Sequence, residues 1–143
     1  VGVAGIEGTV LELGLFGTAL TTPDNVRTIV GNGKIMGSDI KNFSANAYRR
    51  VDLVAQLAGS ADVNHAIALL KEAVAKVAHI DASQPVDVEI LEFNEFGPKL
   101  AVRPYCHTDR YWQVYFDTNK AIADTLGQAG FPVATRPVKV YPV

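Results

Sequence analysis

Cys106 and His107 are adjacent, and they are the residues of this sequence that come nearest to a reactive or metal-binding pair. A transition-metal site needs three or four converging ligands, but His65 and His79 stand at no ligand-like spacing from this pair. A nucleophilic cysteine would also need a histidine base and an oxyanion hole around it. The sequence therefore predicts no metal site and no catalytic thiol, with Cys106 semi-exposed and the histidines at the surface or at helix ends.

Three glutamates, Glu89, Glu92 and Glu95, lie close together in the sequence. Paired carboxylates can perform acid and base steps in hydrolysis. Strand alternation, however, places Glu89 with Asp87 on the polar side of a predicted strand, where solvated charge is the usual role. We assign these carboxylates to the surface and predict no catalytic residue.

The segment Val30-Gly31-Asn32-Gly33-Lys34 has the glycines and the lysine of a phosphate-binding loop. It lacks the spacing of glycines, lysine and hydroxyl residue that a Walker motif requires. We predict instead a tight connection in which Asn32 or Gly33 adopts a positive φ. The sequence predicts no cofactor.

Aromatic and basic residues could form a nucleic-acid surface, but their pattern argues against one. The aromatic residues occur at helical core spacing, which predicts packing rather than base stacking: Tyr111, Trp112, Tyr115 and Phe116. Arg49 and Arg50 are consecutive in a predicted strand and point to opposite faces, so they cannot clamp one phosphate. A salt bridge to a neighbouring element and two solvated charges both remain open for them. The net charge of -2 gives no field that attracts a polyanion, so no nucleic-acid partner is predicted.

Length and composition limit the class of protein. A chain of 143 residues with 48% hydrophobic content can form one ordinary domain or two small ones. Its apolar runs are far shorter than the roughly 20 residues that cross a bilayer, and its single cysteine excludes an intrachain disulfide. The sequence has no initiator Met and opens on a strand-like pattern, so we expect it to be part of a longer polypeptide.

Residues 1–44 have the pattern of a small β domain. Strands are predicted at residues 9–16, 18–22 and 26–30, separated by Gly17 and by the turn Pro23-Asp24-Asn25. No helical period is present. Short strands rich in glycine and threonine predict a small, sharply curved antiparallel sheet or barrel.

From Ala47 onward strands alternate with helices. Strands are predicted at 48–57, at 86–93 and, after a turn at Gly97-Pro98, at 100–105. A helix is predicted at 62–78 with Ser60 or Asp62 as its N-cap, and its apolar stripe comprises Val63, Ala66, Ile67, Leu70, Val74 and Val77. In the strand at 86–93, alternation predicts that Val86, Val88 and Ile90 are buried.

The last third continues the alternation. Thr108 or Asp109 is the predicted cap of a second helix that ends near Gly130, a suitable C-cap glycine, and its apolar stripe comprises Tyr111, Val114, Tyr115, Ile122 and Leu126. Residues 131–134 and 137–143 are predicted to be extended. The order strand, helix, strand, strand, helix, strand predicts a ferredoxin-like arrangement, a fold that by itself does not define a function.

Short motifs along nearly the whole sequence carry a family resemblance. They include Gly8-Thr9-Val10, Asn32-Gly33-Lys34-Ile35, Asn42-Phe43-Ser44, Arg49-Arg50, Val102-Arg103, Tyr111-Trp112 and Ala129-Gly130-Phe131. No single motif is specific, but in order and spacing they resemble the cytoplasmic C-terminal part of the small-conductance mechanosensitive channel family, without its transmembrane helices.

The resemblance implies an α+β chain of three parts. Residues 1–44 would be an Sm-like β domain, residues 45–134 a ferredoxin-like α/β domain, and residues 135–143 a strand of an inter-subunit barrel. The chain would form a homoheptamer on the cytoplasmic side of the bacterial inner membrane, reaching the membrane only through an upstream part. Family channels open under membrane tension and release ions and small osmolytes when the cell swells.

The resemblance also implies which residues matter, and none of them is catalytic. Asn32, Ile35, Asn42 and Phe43 are expected in backbone turns and inter-domain packing. The full set of family-motif and assembly residues is Gly8, Thr9, Asn32, Ile35, Asn42, Phe43, Arg49, Arg50, Arg103, Val138 and Val140.

The sequence departs from the family pattern at several places, among them Thr21, Asp24-Asn25 and Gly59-Ser60. Val30-Gly31-Asn32 replaces Ile-Pro-Asn, residues 94–98 replace a small, serine-rich hairpin turn, and Ala134-Thr135-Arg136-Pro137 replaces a proline-rich approach to the tail strand.

The alternative function is a free-standing ferredoxin-like domain that binds a small ligand or nucleic acid. A hydrolase of the acylphosphatase type would need an arginine and an asparagine around a phosphate loop after the first strand, and no such loop is present.

Overall fold

A computed structural model describes residues 1–143 as two compact units, Val1–Ala47 and Tyr48–Val143. Each unit has its own apolar core. Strands predominate, with three helices among them, so the α+β class predicted from the sequence is confirmed.

The N-terminal unit contains two small antiparallel sheets. Its elements are β1 (Gly2–Val3), β2 (Ile6–Glu7), β3 (Thr9–Leu13), β4 (Gly17–Thr21), β5 (Arg27–Gly31), α1 (Asn32–Met36) and β6 (Ile40–Lys41). One sheet has the strand order β2-β1-β6 and the other β3-β4-β5. Val3, Leu20 and Val30 form its buried core, against which Ile35 packs.

The turn between β4 and β5 forms where the sequence predicts it. Asn25 adopts φ 64°, the left-handed conformation that asparagine tolerates. The predicted positive φ at Asn32 or Gly33 is wrong, because Asn32 begins the short helix α1. This helical turn brings Ile35 onto the core, which an abrupt reversal at Gly33 would not do.

The C-terminal unit contains a three-stranded sheet, a two-stranded ladder and two long helices. Its elements are β7 (Tyr48–Arg50), β8 (Leu53–Gln56), α2 (Val63–Ala75), β9 (Asp87–Asn94), β10 (Gly97–Arg103), β11 (Tyr105–His107), a 3-10 turn (Thr108–Arg110) and α3 (Tyr111–Gln128). The sheet has the antiparallel order β8-β10-β9, and β7 pairs with β11.

The continuous strands predicted at 48–57 and 100–105 are wrong in one respect, since each is divided into two. Pro104 interrupts the ladder because proline has no backbone N–H. Its carbonyl oxygen accepts a hydrogen bond from the Val51 amide at 2.8 Å. The chain therefore leaves one sheet at this position and begins a second ladder, β7 with β11.

The first long helix forms as predicted. The Asp62 carboxylate accepts a hydrogen bond from the His65 amide at 3.2 Å and caps α2. Ala66, Leu70 and Val74 are buried. These residues pack with Leu100, Val102 and Val114 in the core of the unit.

The second long helix begins differently from the prediction and ends as predicted. Thr108 and Asp109 do not cap it; His107 Nδ1 accepts the Asp109 amide at 3.2 Å, and a 3-10 turn precedes α3. At the other end Gly130 adopts φ 75°. The Phe131 amide donates to the Leu126 carbonyl at 3.0 Å, which is the Schellman termination expected for a C-terminal glycine.

The edge and the tail of this unit differ from the sequence pattern. The predicted burial of Ile90 is wrong: its side chain is 44% exposed, although Val88 on the same strand is fully buried, and the register of β9 against β10 shifts directly beside the Ile90–Leu100 pair. The order β8-β10-β9 supplies three strands of the ferredoxin-like arrangement, but no strand forms in residues 131–143. The strand predicted at 137–143 does not form within the single chain, because no other strand of the chain pairs with these residues.

Candidate functional site

Asn32 connects three parts of the N-terminal unit through hydrogen bonds. Its side-chain amide donates to the carbonyl oxygens of Gly14 and Leu15 at 2.8 and 3.1 Å, and its Oδ1 accepts from the Thr18 hydroxyl at 2.9 Å. Its backbone amide donates to the Phe16 carbonyl at 2.8 Å. Asn32 therefore holds the β3–β4 turn in place.

The other predicted residues of this unit have local structural roles. A Cβ at Gly8 would lie 2.6 Å from the Thr21 carbonyl oxygen, so this position requires glycine, and Thr9 pairs with Thr21 in the ladder. The Asn42 side chain accepts from the Ser44 amide and hydroxyl. Phe43 lies near Gly2, where an added Cβ would meet its ring at 3.3 Å.

Apolar side chains are exposed on the same unit. Leu15 and Phe16 in the β3–β4 turn are each 85% exposed. Further exposed apolar residues are Leu11, Leu13, Ile29 and Met36. Because β3 and β5 are also the edges of their sheet, the unit presents apolar surface together with unpaired strand edges, a combination typical of an interaction surface.

In the C-terminal unit the predicted arginines surround one carboxylate. Arg50 forms a two-point ion pair with Asp52, with Nε–Oδ1 at 2.6 Å and Nη2–Oδ2 at 3.1 Å. Arg103 Nε lies 3.8 Å from Asp52 Oδ1. The hydrogen bond and the charge of Asp52 raise the pKa of Arg50. Asp52 thus joins the end of β7 to β10, a role that the sequence pattern did not predict.

Arg49 has a different neighbour, as strand alternation predicts. Its guanidinium carbon lies 3.8 Å from the centre of the Tyr111 ring, a cation–π contact between β7 and α3. Arg49 and Arg50 therefore contact different residues. Neither is merely a solvated charge, because Arg49 packs on Tyr111 and Arg50 pairs with Asp52.

Cys106 is fully buried, so its predicted semi-exposure is wrong. Burial raises the pKa of its thiol, and the charge of Arg49 acts in the opposite direction. No group of three or more His, Cys, Asp or Glu residues is placed to hold a metal ion. Cys106 is buried because β11 is covered by α3, a contact that no local pattern encodes.

The predicted burial of the α3 aromatics is half wrong. Tyr111 and Tyr115 are partly buried, but Trp112 and Phe116 are 61% and 63% exposed, with ring centres 6.0 Å apart. Adjacent helical residues are separated by about 100°, so Trp112 and Phe116 are rotated away from Tyr111 and Tyr115 and lie on the exposed side of the helix. The pairing of aromatics in the sequence was the signal that could have revealed this exposed cluster.

None of the helices combines the length and the hydrophobicity that spanning a bilayer requires. The tail residues Val138 and Val140 are 76% and 84% exposed. Both have their apolar side chains in solvent within the single chain.

Comparison with known proteins identifies the class. Residues 1–45 match the family described as the mechanosensitive ion channel β-domain. The chain is 32% identical over 143 residues to a small-conductance mechanosensitive channel of Edwardsiella ictaluri, covering 99% of this chain and 50% of that protein. It is 30% identical over 112 residues to an uncharacterized MscS family protein of Buchnera aphidicola, covering 78% and 40%. Fold and sequence together are similar to those of the mechanosensitive ion channel class.

Solved structures agree in fold. The crystal structure of Helicobacter pylori MscS in its closed state matches with a TM-score of 0.89 at 20% identity, over 99% of this chain and 56% of that one. A cryo-EM structure of Arabidopsis thaliana MSL1 matches with a TM-score of 0.70 at 15% identity, over 91% and 49%. Over nearly its whole length the chain is similar in sequence and fold to members of the small-conductance mechanosensitive channel (MscS) family. It spans about half the length of the curated relatives it matches.

Proposed function

We propose that this chain is the cytoplasmic assembly part of a channel that releases ions and small osmolytes when a bacterial cell swells. The family match supports the channel class, and that family is one of channels rather than enzymes. An upstream part would anchor the protein in the inner membrane. The alternative, a free-standing domain that binds a ligand or nucleic acid, is not favoured because the similarity to a channel protein covers 99% of the chain.

The observation that carries the assembly role is the apolar surface left uncovered in the single chain. Leu15 and Phe16 in the N-terminal unit and Val138 and Val140 in the tail are all largely exposed. Monomeric proteins rarely leave contiguous apolar surface and strand edges open. Other copies of the chain are the partners we propose, in a homoheptamer.

Within that assembly we propose three parts, with the bounds 1–44, 45–134 and 135–143 predicted from the sequence; the two compact units of the structure divide slightly later, between Ala47 and Tyr48. The tail would add an apolar strand face to a barrel shared among subunits. The motif residues act indirectly: Asn32 shapes the β3–β4 turn, and Asp52 with Arg50 and Arg103 fixes the junction of β7 with β10.

The test of this function uses the complete gene product in bacterial cells that lack their own mechanosensitive channels. We expect survival of a sudden dilution of the medium and, in membrane patches, currents that appear with suction. Cells carrying the empty vector are the control. Patches that contain the protein and show no tension-activated current would contradict the proposal.

A further inference from the structure

The tail beyond α3 is held first by an apolar anchor. Phe131 is partly buried against the core of the C-terminal unit, and its ring stacks on His65 with centres 5.7 Å apart. Its backbone amide closes the helix end at Leu126. The path of the tail is therefore defined at its first residue.

The turn between β9 and β10 is held by side-chain hydrogen bonds. Asn94 Oδ1 accepts from the Phe96 and Gly97 amides at 2.9 and 3.2 Å. Asn94 Nδ2 donates to Gln56 Oε1 at 2.6 Å, and Gln56 Nε2 donates to the Gly97 and Pro98 carbonyl oxygens at 3.2 Å. The turn therefore presents the Glu95 carboxylate from a fixed backbone.

Arg136 in the tail reaches this carboxylate from 41 residues further along the chain. Its Nε and Nη2 donate to one oxygen, Glu95 Oε2, at 2.9 and 2.7 Å. The tail and the turn line a common cleft, to which Pro132, Val133, Thr135 and Pro137 contribute. Proline fixes φ near -65°, so Pro132 limits the paths that the segment between Phe131 and Arg136 can take.

We infer that Glu95 and Arg136 form an ionic-strength-sensitive latch that docks the tail on the β9–β10 turn and sets the direction in which residues 137–143 leave the unit. Both side chains are well exposed, at 49% and 67%. Exposed ion pairs are weak and are screened by salt. Low salt should therefore strengthen the docking, and high salt should release it.

The two partners lie in segments where this sequence departs from the family pattern, the hairpin turn at 94–98 and the tail approach at 134–137. The ion pair between Glu95 and Arg136 gives both segments the same role, which is to hold the tail against the turn. One consequence of the inference rests on the proposed assembly, namely the position at which Val138 and Val140 would contact other copies of the chain. The latch itself is a contact within one chain and is tested there.

The experiment measures the distance between spin labels on Lys71→Cys in α2 and Val138→Cys in the tail, in a Cys106→Ala background. Labelled chain is diluted into unlabelled chain, so only distances within one chain are recorded. We expect a narrow distance distribution at about 0.01 M salt that broadens toward 1 M. Glu95→Gln and Arg136→Gln should each lower the docked population at low salt by about two- to five-fold and remove its salt dependence.

Two further variants make the result specific. Lys76→Gln breaks another exposed pair, that with Glu72 at 3.2 Å, and should leave the distribution unchanged. The double exchange of Glu95→Arg with Arg136→Glu should restore the docked population. The latch is wrong if Arg136→Gln gives the original distribution at low salt, or if the double exchange leaves the tail as broad as the single variants do. Neither outcome depends on channel activity.

Discussion

Asn32 shows how one side chain can organise a unit that has only a small core. Three of its hydrogen bonds tie α1 to the β3–β4 turn and to β4. Thr18, which donates to Asn32, is itself buried, so loss of this contact would leave a buried hydroxyl without its partner. A buried polar group without a partner costs free energy, and we therefore expect Asn32 to be sensitive to small chemical changes.

Asn32→Asp tests this expectation at the residue scale. The new carboxylate retains an acceptor for Thr18, but it replaces the amide donor with an oxygen facing two carbonyl oxygens. We expect the free energy of unfolding of the N-terminal unit to fall by about 2 kcal/mol at neutral pH. Urea unfolding followed by circular dichroism measures the change.

Asn42→Asp is the matched control. Only Oδ1 of Asn42 is used, as an acceptor from Ser44, so an aspartate preserves both hydrogen bonds. We expect a change within about 0.5 kcal/mol. Equal midpoints for the two variants would show that Asn32 does not organise the turn.

At the scale of elements, the β9–β10 hairpin depends on one backbone conformation. Gly97 adopts φ 137°, and a Cβ there would lie 2.6 Å from both the Gly59 nitrogen and the Leu57 carbonyl oxygen. Those atoms belong to the backbone and cannot move cheaply. The hairpin can therefore approach the end of β8 only with glycine at this position.

Gly97→Ala should destabilise the C-terminal unit by about 2 kcal/mol or more, since strain and a backbone clash act together. Gly127→Ala is the control because its Cβ would meet nothing within 4 Å and it lies inside α3. In a helix alanine is favoured over glycine by up to about 1 kcal/mol, so this variant should be more stable. Thermal unfolding measures whether each variant is more or less stable than the original chain. A Gly97→Ala variant that is more stable would contradict the close approach of the hairpin to the end of β8.

At the scale of the whole molecule, the tail leaves apolar surface uncovered within the single chain. Residues 131–143 form no ladder within the chain, and their valines are exposed. An apolar segment that has no partner in its own chain is a site for association with other chains. We expect the tail to be needed for self-association.

Truncation after Thr135 should lower the mass that light scattering measures, from an oligomer toward a monomer. Because truncation also removes Arg136, the full-length variant Val138→Asp with Val140→Asp is a companion that keeps the ion pair with Glu95. It should dissociate in the same way, since charges on the apolar face cannot be buried in a barrel. A mass that neither change alters would contradict a barrel role for the tail.

The sequence was a good guide at most positions where a local rule applied, although the predicted cap of α3 and the predicted positive φ at Asn32 or Gly33 were wrong. The turn at Asn25, the cap at Asp62, the stripe of α2 and the helix end at Gly130 depend on residues within a few positions of one another. The other errors came where distant residues decided the outcome. The division of two strands at Pro104 and the burial of Cys106 depend on what another element places beside them.

The sequence by itself determined the class of fold, the positions of the long helices and, through the order of its motifs, the resemblance to one family. These features follow from periodicity, capping and chain order, which act locally. Only the tertiary structure decided that Asn32 holds a turn, that Asp52 joins Arg50 to Arg103 and that Arg136 reaches Glu95. Those contacts join elements that are distant along the chain, and they form only because folding brings the elements together.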